Sequence, residues 1–265
     1  MKFGKSIIRL AVFAIGFLGI VQTPDVWAVP PLVTGDVPTA DRGHLETFLG
    51  WKYQETGQIV RQIPFAEVVY GLTSWEKITL EVPYLAITPS NGEGKSGVGD
   101  MVLGTKVGIV SEAHHVPGIA ASFEVKLANG DETQGLGSGA VDYDVRLRFQ
   151  KSWWWFTGIW NVGYTLVGEP TIEGVRQERN NVLFGAFAQM WELTPGTQLL
   201  TEIYAQNSDE PGEPNRIAAN VGFAQKLWSW LQVHGTIGKS IQQDDEGGPK
   251  LRAYLGMKLE FPLIK

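Results

Sequence analysis

Twelve segments of this chain alternate between apolar and polar residues with a period of two. In residues 118–128, for example, Ile119 and Phe123 have one parity, whereas Glu124 and Lys126 have the other. Because successive side chains of a β-strand point to opposite faces, this alternation predicts strands. The predicted strands are residues 44–55, 62–72, 76–87, 98–110, 118–128, 140–150, 154–166, 181–192, 197–206, 215–226, 229–239 and 250–261. The eighth is the least distinct, because both of its faces are largely apolar.

The connections between these strands alternate in length along the chain. One set is long, rich in Gly and acidic, and comprises residues 55–61, 88–97, 129–139, 167–180, 207–214 and 240–249. The other set is short and comprises residues 73–75, 111–117, 151–153, 193–196 and 227–228. Outer-membrane barrels have long external loops and short periplasmic turns. The sequence therefore predicts an all-β fold, a transmembrane antiparallel up-and-down β-barrel of about 12 strands, with both chain ends on the periplasmic side.

Aromatic residues are concentrated near the ends of the predicted strands. Those near the short turns are Trp75, Trp153, Trp154, Trp155, Trp191, Trp228, Trp230 and Phe261. Those toward the long loops are Tyr53, Tyr84, Tyr143, Tyr164 and Tyr204. Two aromatic belts are typical of proteins that cross a bilayer. A soluble two-sheet barrel is the alternative, but it needs a larger polar face than this chain offers.

Composition excludes several other classes of protein. The chain has 265 residues, a net charge of −6 and no Cys. The absence of Cys excludes a disulfide scaffold, a thiolate metal site and a Cys nucleophile. The negative charge argues against a nucleic-acid partner, because such binding depends on contacts with phosphate. The mean hydropathy of −0.06 is too polar for a helical membrane protein.

The first part of the chain predicts export. Residues 1–28 have the pattern of a secretory signal peptide, with basic residues, an apolar stretch over 10–21 and a cleavage site after Ala28. That stretch is shorter than the roughly 20 residues of a membrane-spanning helix, although a retained anchor is the alternative. Residues 29–43 are rich in Pro and Gly and predict a leader with no core of its own. Residues 44–265 then form the barrel, and the predicted location is the cell outer membrane of a Gram-negative bacterium, in contact with its lipid.

Acidic and basic residues in balanced numbers have the polar parity of the strands. A Lys or Arg that faces lipid costs roughly 2–4 kcal/mol at the membrane midplane, so this face is predicted to line the lumen. A lumen enclosed by 12 strands is narrow and suits small solutes. The candidate lumen-lining residues are Asp100, Lys106, Glu124, Lys126, Asp142, Asp144, Arg146, Arg148, Glu202 and Arg216.

Charges also predict how the fifth and sixth strands pair. One register places Glu124 opposite Arg146 and Lys126 opposite Asp144. A register shifted by two places Glu124 opposite Asp144, and like charges directly opposite each other destabilise a sheet. The sequence therefore predicts the first register.

Local motifs give no indication of a cofactor. Residues 94–96 (Gly-Lys-Ser) look like the end of a phosphate-binding loop, but Pro89 stands where the leading Gly is required, and a strand follows. His114 and His115 could bind a metal, but no third ligand is apparent, which favours a solvated turn. His234 has serines nearby in the sequence, as an outer-membrane lipid hydrolase would require, yet no complete set of nucleophile, base and orienting acid surrounds it. We therefore predict that the protein is not an enzyme.

Several short motifs lie at the predicted hairpins. They are residues 69–73 (VYGLT), 80–84 (LEVPY), 97–100 (GVGD), 103–106 (LGTK), 123–127 (FEVKL), 130–131 (GD) and 136–139 (LGSG). Together they resemble a family of bacterial outer-membrane proteins labelled with the "MetA-pathway of phenol degradation" or simply as transporters. The resemblance covers most of residues 44–261. It implies an outer-membrane barrel that admits aromatic or other hydrophobic small molecules.

These observations together predict an outer-membrane channel for passive uptake of small solutes, with aromatic or hydrophobic molecules as a candidate class. Phe261 ends the last strand and resembles the address read by the barrel-assembly machinery, although residues 262–265 follow it. The alternative is a non-conducting barrel with a structural or receptor role. An open pore and a plugged pore are both compatible with the sequence.

Overall fold

The computed structural model describes residues 32–56, 59–90, 92–172, 175–241 and 250–263. The predicted signal peptide, residues 1–28, and the first residues of the leader lie outside this part. The strands are β1 (His44–Thr56), β2 (Ile59–Gly71), β3 (Glu76–Pro89), β4 (Lys95–Val98), β5 (Val102–Val110), β6 (Gly118–Lys126), β7 (Asp142–Ser152), β8 (Phe156–Leu166), β9 (Thr171–Ile172), β10 (Val175–Arg176), β11 (Val182–Thr194), β12 (Thr197–Gln206), β13 (Arg216–Trp228), β14 (Leu231–Ser240) and β15 (Leu251–Pro262). In the described residues, no helix has the length and apolar character needed to cross a membrane.

The strands close into one antiparallel barrel. Each long strand pairs with the next along the chain, and β1 pairs with β15 to complete the circle. Strands β4 and β5 both pair with β3 and together make one interrupted strand, whereas β9 and β10 form a small separate hairpin. Counting β4 and β5 as one, twelve strands surround the interior, which confirms the predicted architecture.

The two faces of the barrel differ as the alternation predicts. Apolar side chains point outward, and Leu103 on β5 is 45% exposed. Three positions further along the same strand, Lys106 points inward and is 2% exposed. An exposed apolar surface of this extent is stable next to lipid rather than water.

Part of the interior is apolar, which explains the indistinct eighth strand. That segment is β11, whose inward residues Val182, Phe184, Ala188 and Met190 are all buried. Phe184, Ala188 and Met190 pack with apolar residues of other strands inside the barrel. Both faces of β11 are therefore apolar because one contacts the membrane and the other contacts this internal cluster.

The connections differ in length between the two ends of the barrel. Four long connections, 127–141, 167–181, 207–215 and 241–250, lie at the same end of the barrel as the shorter connection 90–94, and this end is called the loop end. The opposite end, where the longest connection is 111–117, is called the turn end. The first predicted long connection, residues 55–61, is wrong. Strands β1 and β2 stay paired as far as Thr56 and Ile59, so that residues 57–58 alone join them.

Aromatic side chains cluster at the turn end as expected for an interfacial belt. Trp153 stacks on Phe156 with ring centroids 4.6 Å apart, and Trp155 lies 4.6 Å from Trp191. Trp154 is 95% exposed at the tip of its turn. Such amphipathic rings are favoured at the boundary between lipid and water.

The predicted register between the fifth and sixth long strands is wrong. In β6 and β7, Glu124 lies opposite Asp144, and Lys126 lies opposite Asp142. The two facing carboxylates are stabilised from other directions: Arg146 Nε donates to Asp144 Oδ1 at 2.8 Å, and Arg148 Nη2 lies 3.6 Å from Glu124 Oε1. Glu124 and Asp144 are therefore neutralised by arginines that are not opposite them, whereas Lys126 and Asp142 form a direct cross-strand ion pair.

Candidate functional site

A cavity of about 1500 Å³ runs along the barrel interior. His114 and Trp153 border it at the turn end, and Gln54 and Arg252 border it toward the loop end. Most residues of the leader between positions 32 and 41 form part of its wall. The interior is thus partly filled by the chain's own leader and partly open.

The leader enters the barrel at the turn end, immediately before β1. Gly43 has a positive φ of 75°, and its amide donates to the carbonyl of Gly71 at 2.8 Å. Before this turn, residues 32–40 lie inside the barrel, and Val37 and Ala40 are buried there. The leader predicted to lack a core of its own is packed into the core of the barrel.

Glu202 on β12 binds the innermost described part of the leader. Its carboxylate accepts hydrogen bonds from the amide of Val33 at 3.2 Å and from both the amide and the hydroxyl of Thr34. Asn220 on β13 donates to the same carboxylate. Glu202 is 4% exposed, so its charge depends on these donors.

Two side-chain amides hold the middle of the leader. Asn161 on β8 accepts from the amide of Gly35 and donates to its carbonyl, both at 2.8 Å. Gln150 on β7 accepts from the amide of Val37 at 3.3 Å. These contacts satisfy backbone groups that would otherwise be unpaired in the interior.

Lys106 on β5 binds the leader at Asp36. Its Nζ donates to Asp36 Oδ1 at 2.7 Å, to the Asp36 carbonyl at 3.1 Å and to the carbonyl of Pro38. Arg148 lies beside the same segment, because a Cβ added at Gly35 would come within 2.6 Å of its guanidinium. The leader can pass this arginine closely since it has a glycine there.

One side of the cavity is strongly charged. Lys52 Nζ lies 3.0 Å from Glu81 Oε1 and 4.0 Å from the ring centroid of Phe65. Glu67 lies directly opposite Glu81 in the β2–β3 register. Lys77 lies opposite Lys106 in the β3–β5 register, so two cations are also cross-strand neighbours on this wall.

Another side of the interior is aromatic and apolar. His234 is fully buried; its Nε2 lies 2.8 Å from Tyr254 Oη, and its ring stacks on Phe48 with centroids 6.3 Å apart. Tyr254 also contacts Phe65, with ring centroids 5.9 Å apart. His234 is therefore part of an internal aromatic cluster, and the partner of its Nε2 is a phenol rather than a serine.

The candidate lumen residues divide into three groups. Lys106, Glu124, Arg146 and Arg148 border the cavity directly. Glu202 lies inside and holds the leader, and Asp144 pairs with Arg146. The remaining four lie toward the loop end and serve contacts there, namely Lys126, Asp142, Arg216 and Asp100.

Asp100 pins a loop at the rim. Its Oδ1 accepts from the amide of Gly130 at 2.9 Å, and its Oδ2 accepts from the amide and hydroxyl of Ser138 at 2.7 and 2.8 Å. Within that loop, hydrogen bonds from Thr133 and Gln134 hold the pKa of Asp131 below its usual value. Asp100 is thus tied to the shape of the loop between β6 and β7.

Two sets of residues have atoms that could bind a metal. His114 and His115 contact each other at 2.8 Å in an exposed turn. Asp41, His44 and Glu260 have ligand atoms within 4.8 Å of one another at the turn end. Glu260 Oε2 also lies 3.3 Å from Lys258 Nζ, so a cation is already present beside this set.

Sequence reasoning missed the residues that hold the leader from within. Asn161 lies in a strand where apolar residues dominate, and Asp36 and Thr34 lie in a segment without alternation. A polar amide at an inward position of a largely apolar strand is the signal that could have found Asn161, since buried amides require partners.

Comparison with solved structures identifies the fold. The chain is similar to an outer membrane channel from Pseudomonas putida F1, with a TM-score of 0.75, 14% identity, and coverage of 87% of this chain and all of that one. It is also similar to the NanC porin (TM-score 0.55, 8% identity, coverage 81% and 98%) and to the β domain of the Bordetella autotransporter BrkA (0.53, 10%, 83% and 100%). No protein-family model matches the sequence, and no curated protein matches it. The chain is thus a transmembrane β-barrel of the outer-membrane type.

Proposed function

We propose that this protein is an outer-membrane channel for small solutes and that its leader closes the pore. The observation that carries the proposal is the leader itself, which occupies a cavity-containing lumen through hydrogen bonds to side chains rather than as a strand of the barrel. A segment held in this way can leave without breaking the strand ladder. The cavity beside the docked leader would join the space that the released leader leaves, which would give a solute a route through the barrel.

The interior suits solutes that are partly apolar and partly polar. An aromatic cluster around Phe48, Phe65 and Tyr254 lies beside charged side chains of the wall, because Lys52 Nζ is 4.0 Å from the ring centroid of Phe65 and 3.0 Å from Glu81 Oε1. Aromatic rings bind apolar or aromatic groups, whereas the charged wall binds polar ones. This combination supports small aromatic molecules as a solute class. It is also consistent with membership in the phenol-degradation family that the hairpin motifs resemble.

The proposal also includes how the protein is exported and inserted into the outer membrane. Residues 1–28 direct export and are removed, so the outer-membrane form begins at Val29. The barrel is inserted by the barrel-assembly machinery, with Phe261 near the end of the last strand as part of the address. A mass measurement on protein extracted from outer membranes tests the cleavage position.

Conductance in planar bilayers tests the channel. The full barrel is compared with a variant that lacks residues 32–40, and the variant is expected to show larger or more frequent conductance steps. If neither form conducts, the barrel has a structural or receptor role instead.

A reversible tether separates closure by the leader from a general effect of deletion. The chain has no Cys, so a pair introduced as Val37→Cys and Gln150→Cys would be unique. The amide of Val37 donates to the side chain of Gln150 at 3.3 Å. Oxidation should silence the channel and reduction should restore it, whereas Val37→Cys alone should not respond. A current that is the same in both redox states contradicts closure by the leader.

A further inference from the structure

Lys106 is a buried cation whose hydrogen-bond partners come from the leader. Asp36 Oδ1 lies 2.7 Å from its Nζ, and the other two acceptors are the carbonyls of Asp36 and Pro38. A buried ammonium without an acceptor carries a desolvation cost of several kcal/mol. If the leader leaves the lumen, another acceptor must therefore take the position of Asp36.

The surroundings of Lys106 favour an anion in that position. Lys77 lies directly opposite it in the register and forms no ion pair with another described residue. On the other side, Arg148 donates to Ser122 Oγ at 3.0 Å and lies 3.6 Å from Glu124, while its buried Nε has no partner among the described residues. Without Asp36, Lys106 has no carboxylate within ion-pair distance among the described residues. We call Lys77, Lys106 and Arg148 the cationic cradle.

The residue next to Asp36 indicates which chemical group would accompany an anion bound in its place. Val37 follows Asp36 and is 8% exposed, and a Cβ added at Gly118 would lie 3.0 Å from its side chain. A carboxylate next to a compact apolar group therefore occupies this position in the closed barrel. Small organic acids, aliphatic or aromatic, have the same arrangement of groups.

We infer that the cationic cradle is a binding site for the carboxylate of a small organic acid and that Asp36 occupies it when no such acid is bound. The inference names a solute class for the proposed channel and rests on that proposal. An acid that reaches the cradle competes with Asp36, so binding favours release of the leader. Exchange of one carboxylate for another keeps Lys106 paired throughout.

Calorimetric titration of the full barrel in detergent tests this site with benzoate, and with benzamide as a neutral molecule of the same shape. Asp36→Asn removes the internal competitor and should tighten benzoate binding about tenfold or more, the scale of one charge-assisted hydrogen bond. Benzamide should show no such gain. Asp41→Asn, which changes the other described acid of the leader, should leave benzoate affinity as in the natural chain.

A second variant tests whether Lys106 is the cation involved. Lys106→Met combined with Asp36→Asn should lose the gain in benzoate affinity, and heat-modifiable migration on gels should verify that this barrel is folded. Equal benzoate affinity in Asp36→Asn and the natural chain overturns the inference, as does an equal gain for benzamide.

The titrations do not depend on conduction, so the two proposals can fail separately. If the barrel shows the expected benzoate pattern but passes no current, the binding site is supported and the channel function is contradicted. If the barrel conducts but binds benzoate equally with and without Asp36, the channel function is supported and the binding site is contradicted.

Discussion

Substitution of Glu202 by Gln should release the leader from the lumen. Glu202 accepts three hydrogen bonds from the leader, from the amide of Val33 and from the amide and hydroxyl of Thr34. Glutamine keeps the volume, but it removes the charge and replaces one acceptor oxygen by an NH₂ group that faces those donors. Hydrogen bonds to a charged group contribute about 1.5–3 kcal/mol each, against about 0.5–1.5 kcal/mol for neutral ones.

The expected loss of leader binding is about 2–4 kcal/mol, because two of the three contacts are weakened and the third is made repulsive. This corresponds to a factor of about 30 to 1000 in the equilibrium between docked and released leader. Val37→Cys provides the readout, since position 37 is buried when the leader is docked and the chain has no other Cys. The rate of maleimide labelling at this position then follows the released population.

Glu192→Gln is the matched control in the same Val37→Cys background. Glu192 is exposed at the turn end of β11, and the described residues include no contact between its carboxylate and the leader. Labelling should be as slow as in the Val37→Cys parent. If Glu202→Gln and Glu192→Gln label at equal rates, the contacts at Glu202 do not hold the leader, and the reasoning fails.

Two further predictions concern the barrel in the membrane. Leu103→Arg places a charge on the lipid-facing surface and should lower the free energy of unfolding in lipid vesicles by about 2–4 kcal/mol. Val175→Arg, at an exposed position of β10, should leave the free energy of unfolding unchanged. Equal effects would mean that the outer face is misassigned. On intact cells, a membrane-impermeant thiol reagent should label Pro211→Cys at the loop end but not Trp154→Cys at the turn end, and the reverse pattern would invert the orientation.

The barrel could be predicted from the sequence because its physical constraint is local and repeated. Every spanning strand has to present apolar side chains to lipid and different ones to the interior, which imprints a period of two. The strand that was hardest to recognise, β11, is one in which the interior side is apolar too. The prediction was weakest where the lipid-facing and the inward-facing side chains are both apolar, because the period of two then disappears.

The interior arrangement was less predictable because it depends on partners that are distant in sequence. The register of β6 and β7 was assigned wrongly since facing carboxylates, Glu124 and Asp144, are neutralised by arginines that are not directly opposite them. The position of the leader was not predicted at all. Its contact between Thr34 and Glu202 joins residues 168 positions apart, and a segment without alternation carries no sign of such a partner.

The leader is also an intramolecular ligand of the folded barrel, so the proposed release of the leader would lower the stability of the barrel against unfolding. Its anchoring side chains lie on β5, β7, β8 and β12, so the docked segment connects strands as far apart in the sheet as β5 and β12. A ligand that binds the folded state alone raises resistance to unfolding by the free energy of its binding. Each contact that keeps the pore closed therefore also protects the closed barrel from unfolding. A barrel whose leader has been released should be the more fragile one, unless the entering solute replaces the contacts that the leader gave up.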